Sequence, residues 1–147
     1  MDLERELQRF ISEHKDRIGL VSMDAPLISN LSIWSNIALI RQYHQNMPLN
    51  EAKNIALELL SRMEMEGVLG KRNSALDPEE RFCIMLLRAA MVRDAILVLD
   101  RPFSILINQR DGAFVMDALK KIDDLIAETY IFDYSWAESC YEANNDQ

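Results

Sequence analysis

A run of five aliphatic residues closing on a carboxylate, Ala95-Ile96-Leu97-Val98-Leu99-Asp100, leaves this chain few folds to choose from. With no polar alternation it reads as a strand buried on both faces, the state of a strand inside a parallel sheet. Two further segments have strand character, Arg17-Ile18-Gly19-Leu20-Val21 and Thr129-Tyr130-Ile131-Phe132. Long helical patterns separate the three. Parallel strands need such crossovers, and the crossovers are right-handed. The sequence therefore predicts an α/β fold, richer in helix than in strand, with a small three-stranded parallel sheet and flanking helices.

The helical pattern begins with Leu3, Leu7, Phe10 and Ile11 on one face. Asp24-Ala25-Pro26 breaks the first strand, and Ser32 to about Gln45 predicts a helix with Ile33, Ile37 and Ile40 along one stripe. Asn50 is read as the N-cap of the next, where Ala52, Ile55, Ala56, Leu59, Leu60 and Met63 follow helical spacing. Gly67 to Ala75 reads as loop. A well-specified helix start follows, with Asp77 as cap, Pro78 at the first position and Glu80 completing a capping box. Phe82, Met85, Leu86 and Ala89 point that helix inward; Ile84, Leu87 and Met91 make its other side apolar, so it should be buried nearly all round. Val115, Ala118, Leu119, Ile122, Leu125 and Ile126 predict another amphipathic helix, and residues 135–143 a last short one. Residues 1–147 read as a single domain. A helical subdomain at about 32–92 is inserted between strands, and 144–147 read as a frayed tail.

The formal net charge is −8, which disfavours nucleic acid as a partner. Cys83 and Cys140 lack metal-ligand spacing, and His14 and His44 have no partner at such spacing, so free thiols, surface histidines and no metal are expected. The charged N-terminus lacks the apolar core of a signal peptide. Ala95–Leu99 is too short to span a bilayer. A cytoplasmic chain without direct membrane insertion is expected, reaching the inner face of a membrane only through a partner.

The order of these pieces resembles the ATPase domain of ABC transporters, over about residues 16–143. Ile18-Gly19-Leu20-Val21-Ser22-Met23 is similar to the strand leading into that family's Q-loop, and Leu27 to Ile37 to the stretch after it. Leu76 to Ala90 lines up with the signature motif and its helix, retaining Arg88-Ala89. Ala95 to Ser104 resembles the Walker B strand and its continuation, and Ile131-Phe132-Asp133-Tyr134 takes the place of the switch-histidine strand. The resemblance implies a truncated P-loop NTPase-like fold whose Walker B-like strand lies between the other two.

No single motif of the family is intact. No Gly-x-x-x-x-Gly-Lys-[Ser/Thr] occurs in the 147 residues, and the family carries most triphosphate binding there. Met23 stands at the Q-loop glutamine. Leu76-Asp77-Pro78-Glu79-Glu80 replaces Leu-Ser-Gly-Gly-Gln, putting three carboxylates where a helix N-terminus would meet phosphate. Asp100 is kept, but Arg101 replaces the general base, and a guanidinium cannot accept a proton. Ile107 stands at the terminal aspartate of the D-loop, and Asp133 at the switch histidine. These departures predict a non-catalytic chain with no cofactor.

By resemblance, Leu27, Ile28, Leu31, Ile33 and Trp34 are candidates for the surface that receives a membrane subunit. Three functions stay open: an interaction protein binding an ABC permease, an ATPase subunit or itself; a degenerate subunit that still binds nucleotide; and a structural domain unrelated to transport. Read without the resemblance, Asp100 caps a turn, Leu76 to Glu80 is a helix start, and Met63, Met65, Met85 and Met91 fill core gaps. Two spatial expectations complete the reading. Arg101 pairs with Asp133 or with Asp100, or else Arg101 faces water while Asp133 caps the following segment. The outer edge of the Asp133 strand is covered by the N-terminal helix or by a second chain.

Overall fold

The computed structural model describes residues 2–134. Among the described residues, five α-helices and three strands follow in the order α1 (Leu3–Glu13), β1 (Ile18–Val21), α2 (Ile33–Gln45), α3 (Leu49–Arg62), α4 (Pro78–Ala90), β2 (Ala95–Asp100), α5 (Ala113–Lys121) and β3 (Ile126–Phe132). The strands form one parallel sheet in the order β1-β2-β3, with Leu20 opposite Val98 and Val98 opposite Tyr130. The central strand is the aliphatic run, and all six of its residues are buried. Each large aliphatic side chain sealed in this way contributes about 1.5–3 kcal/mol.

Between β1 and β2 the chain builds the helical subdomain: α2, α3, short 3-10 turns at Glu66–Gly70 and Asn73–Ala75, and α4. Helix α4 starts as its sequence dictates. Asp77 accepts from the Glu80 amide at 2.8 Å, and Glu80 returns a bond to the Asp77 amide at 3.0 Å. Phe82 through Leu87 are all buried, so α4 is the helix around which the sheet and subdomain share one core. Gly19 of β1 lies so close to α4 that a Cβ there would fall 2.3 Å from the Ala89 carbonyl oxygen.

Three local expectations are corrected. Asn50 lies inside the first turn of α3; the N-cap is Pro48, which gives no side-chain bond. The helix predicted through Ile126 stops at Lys121, and a 3-10 turn at Asp123–Leu125 delivers the chain into β3. That strand begins at Ile126, three residues earlier than predicted. The helix expected at 135–143 and the tail at 144–147 lie outside the described residues. Helix α1 packs on a face of the sheet, with the Phe10 ring 4.6 Å from that of Tyr130 and 5.5 Å from that of Phe132. It does not close the outer edge of β3, where residues 127–130 are exposed.

Candidate functional site

The carboxyl end of a parallel sheet is where open α/β folds bind ligands. Here β2 ends in Asp100, β1 runs into Ser22 and Met23, and β3 into Asp133 and Tyr134. Met23, Asp100, Asp133 and Tyr134, with Asp24, Arg101, Phe103 and Ser104, line a cavity of about 410 Å³. The sheet therefore gathers Met23, Asp100, Arg101 and Asp133 at one place.

Asp100 is the buried centre of this site, 2% exposed. The Ser22 hydroxyl donates to its Oδ2 at 2.7 Å. Arg101 holds both carboxylate oxygens, Nε to Oδ1 at 2.7 Å and Nη2 to Oδ2 at 3.0 Å. Neighbouring residues on a strand point to opposite faces, so this fork needs a break in the pleat. The break is Arg101 itself, at φ 46 and ψ 61, a left-handed conformation that side chains seldom adopt. Its carbonyl then accepts from the Ser104 hydroxyl at 2.6 Å, and Pro102 opens a 3-10 turn.

The same guanidinium reaches Glu4 of α1 at 3.2 Å and Asp24 at 3.9 Å. The hydrogen bond to Asp100, followed by the contact with Tyr134, raises the Arg101 pKa above its already high ordinary value. Of the two carboxylates considered for Arg101, the structure selects Asp100. Asp133 is not among its ion-pair partners; Asp133 Oδ1 accepts from the Tyr134 amide at 2.8 Å. Among the described residues lining the cavity, Arg101 is the cation, and Asp24, Asp100 and Asp133 are carboxylates. Among the described residues no group of three or more His, Cys, Asp or Glu side chains is placed to hold a metal ion.

Leu76, Asp77, Pro78, Glu79 and Glu80 lie away from this cavity, at the start of α4. The capping box takes up the Glu80 amide, and Lys71 clamps the Glu80 carboxylate at 2.9 and 3.1 Å. Glu79 accepts from the Gln109 side chain at 3.1 Å. The helix N-terminus thus holds its own anions. Ile107 is 72% exposed and Met23 58% exposed, and neither is in the core.

The candidate partner surface is only partly a surface. Ile33 is 1% exposed and belongs to the core, because α2 turns it inward with Ile37. Ile28 is 40% exposed, while Leu27, Leu31 and Trp34 are half-buried. Lys53 of α3 sits 5.3 Å from the centre of the Trp34 ring. Three polar residues that sequence reasoning missed hold this segment. Buried Asn36 accepts from the Ile28 amide at 2.8 Å and donates to the Ile28 and Ser32 carbonyls, both at 3.1 Å. Asn73 donates to the carbonyls of Ile28, Ser29 and Leu31. Arg88 donates to the Ala25 and Pro26 carbonyls, and burial lowers its pKa. The only sequence cue to these roles was the retained Arg88-Ala89.

The fold and its site define a class: a parallel sheet of the P-loop NTPase kind, with a helical subdomain inserted between its first two strands. No family model matches the chain. A sulfate/thiosulfate import ATP-binding protein of Synechocystis is 30% identical over 118 residues, covering 80% of this chain and 33% of that protein. A molybdenum import ATP-binding protein of Mesorhizobium japonicum is 28% identical over 122 residues, covering 83% of this chain and 31% of the relative. A solved dimeric bacterial ABC transporter cassette superposes with a TM-score of 0.62 at 25% identity, covering 89% of this chain and 59% of the cassette. The chain is a homologue of ABC transporter ATP-binding proteins and carries part of their ATPase cassette. It spans about a third of the length of these curated relatives.

Proposed function

We propose that this chain is a non-catalytic ABC-ATPase-like protein that acts through protein–protein contact with an ABC permease or ATPase subunit. One observation carries the reading: Arg101 lies on Asp100 and occupies the carboxylate that a magnesium–nucleotide complex would need. A guanidinium held by two charge-assisted hydrogen bonds neither binds magnesium nor accepts a proton. The acidic surroundings and the self-capped start of α4 add to this, since both disfavour phosphate. The residues of the cavity do not fit a magnesium–nucleotide complex.

The surface offered to a partner is the segment carrying Leu27, Ile28, Leu31 and Trp34, held rigid by Asn36, Asn73 and Arg88. No helix among the described residues is long and apolar enough to cross a membrane. Association with the inner face of a membrane, on the cytoplasmic side, would pass through the partner. A second reading is favoured by the similarity to import ATP-binding proteins: a degenerate ATP-binding subunit that still takes nucleotide as part of a longer or multi-chain assembly.

Tagged chain co-expressed with an ABC permease and its ATPase subunit tests the first reading. Co-purification lost on Ile28→Asp or Trp34→Ala, with thermal stability retained, is the expected result. Co-purification with neither subunit, or retention by both variants, overturns it.

A further inference from the structure

Beside the apolar partner surface lies a polar cavity with a charge of its own. The turn at residues 71–74 is tied to the segment 28–31, because the Asn73 side chain donates to the carbonyls of Ile28, Ser29 and Leu31 at 2.8, 3.2 and 3.1 Å. A cavity of about 450 Å³ opens between the two. Two cations, Lys71 and Arg72, line it together with Ser29, Ser32 and Ser74, and no carboxylate does. The whole chain, by contrast, has 24 acidic residues against 16 basic ones.

The carboxylates that follow this turn in sequence are already engaged. Asp77 caps α4, Glu79 accepts from Gln109, and Glu80 is held by Lys71. Lys71 is therefore neutralised within its own chain. Arg72 is not: it is exposed, and its guanidinium has no hydrogen bond or ion pair among the described residues. The cavity keeps one arginine fork without an acceptor, beside serines that can donate further hydrogen bonds.

We propose that the docking segment of the ABC permease carries a carboxylate side chain that seats in this cavity against Arg72. This rests on the partner contact proposed for Leu27, Ile28, Leu31 and Trp34, and it supplies the chemistry of the other side. Leu31 belongs both to that apolar strip and to the cavity wall, so the two are continuous. An amphipathic segment laid along the strip brings its polar side to the cavity. A guanidinium takes a carboxylate through two parallel hydrogen bonds, which fixes register as well as charge. A phosphoryl dianion fits less well, because Asp77, Glu79 and Glu80 follow at the start of α4. Charge placed across an interface in this way selects the partner and speeds encounter.

Co-purification of the tagged full chain with a co-expressed ABC permease and its ATPase subunit tests the proposal, read as the amount of permease retained. Arg72→Glu sets like charges together and should lower retention about ten-fold or more, with circular dichroism unchanged. Ser74→Glu, a second variant in the same cavity, should act in the same direction. R72K keeps the charge and should hold most of the permease. Arg93→Glu makes the same change of charge at an exposed residue of a different cavity and should change nothing. Raising the ionic strength to about 1 M, where the Debye length falls to about 3 Å, should weaken the wild type but not Arg72→Ala. Undiminished retention by both Arg72→Glu and Ser74→Glu overturns the proposal, and leaves the partner surface standing if Ile28→Asp still abolishes binding. An equal loss in Arg93→Glu also overturns it, since net charge alone then accounts for the effect. Co-purification with the ATPase subunit alone overturns this proposal only, and co-purification with neither subunit overturns the partner contact as well.

Discussion

Gly19→Ala should be among the most damaging single-methyl substitutions in this protein. The added Cβ would lie 2.3 Å from the Ala89 carbonyl oxygen, 2.9 Å from its carbon and 3.1 Å from its Cβ. The first two are backbone atoms of α4, whose neighbours Cys83 through Leu87 are locked in the core. No side chain there can swing aside. Either β1 or α4 must shift, and a shift of α4 breaks its packing on both sides. Overpacking in a rigid core costs typically 1–3 kcal/mol, and the backbone clash puts this case near 3 kcal/mol or above. That is a large share of the roughly 5–15 kcal/mol that holds a domain together. At about 2–4 °C per kcal/mol for a chain of this size, the melting temperature should fall by roughly 6–12 °C. Gly67→Ala and Gly70→Ala are the controls, because a Cβ at either meets nothing within 4 Å. Urea unfolding of the three variants measures the difference. A Gly19→Ala loss below about 1 kcal/mol, equal to the controls, would refute the packing argument.

Asp77→Ala removes the capping box of α4 and should cost about 1–2 kcal/mol in urea unfolding; no measurable loss would mean the box is idle. Arg101→Ala strands the buried Asp100 carboxylate with Ser22 alone and should cost about 2–4 kcal/mol, whereas Glu4→Ala, on an exposed rim pair, should cost under about 1 kcal/mol. A double-mutant cycle of Asp100→Asn with Arg101→Ala should be strongly non-additive, and strict additivity would deny the pair. Burial pushes the Cys83 thiol up to about 12 from 9.0. Folding thus favours the neutral thiol, so this contribution is full below about pH 9 and declines as pH rises towards 12. Peptide mapping after iodoacetamide at pH 8 should find Cys83 unmodified in the native protein and modified in urea.

Much of the fold was legible because its signals are local. The aliphatic run at Ala95–Asp100, the Asp77-Pro78-x-Glu80 start and the stripe of α1 each depend on nearest neighbours, and each formed as read. The strand order followed from the resemblance. The end of α5 was misread because Leu125 and Ile126 continue the helical spacing. Asp123 and Asp124 oppose the helix dipole there, and the chain leaves the helix at Lys121. Asn50 matched a cap by type, yet the N-cap of α3 is Pro48, two residues earlier. At the site, the sequence named Met23, Asp100, Arg101 and Asp133, and the sheet brings them together. What it could not decide was the partner of Arg101, because adjacent strand residues meet only after a left-handed turn. Ser22, Asn36, Asn73, Glu4 and the tight seat of Gly19 act through tertiary contacts, and no local pattern announces them.

Calorimetric titration of the chain with magnesium–ATP asks most directly whether the cavity at Asp100 is closed to nucleotide. With Arg101 on both carboxylate oxygens and Asp24 beside it, no saturable heat tighter than about millimolar is expected, and Arg101→Ala alone should not restore binding. Saturable binding of magnesium–ATP by the wild-type chain in the low micromolar range would contradict the proposed non-catalytic role.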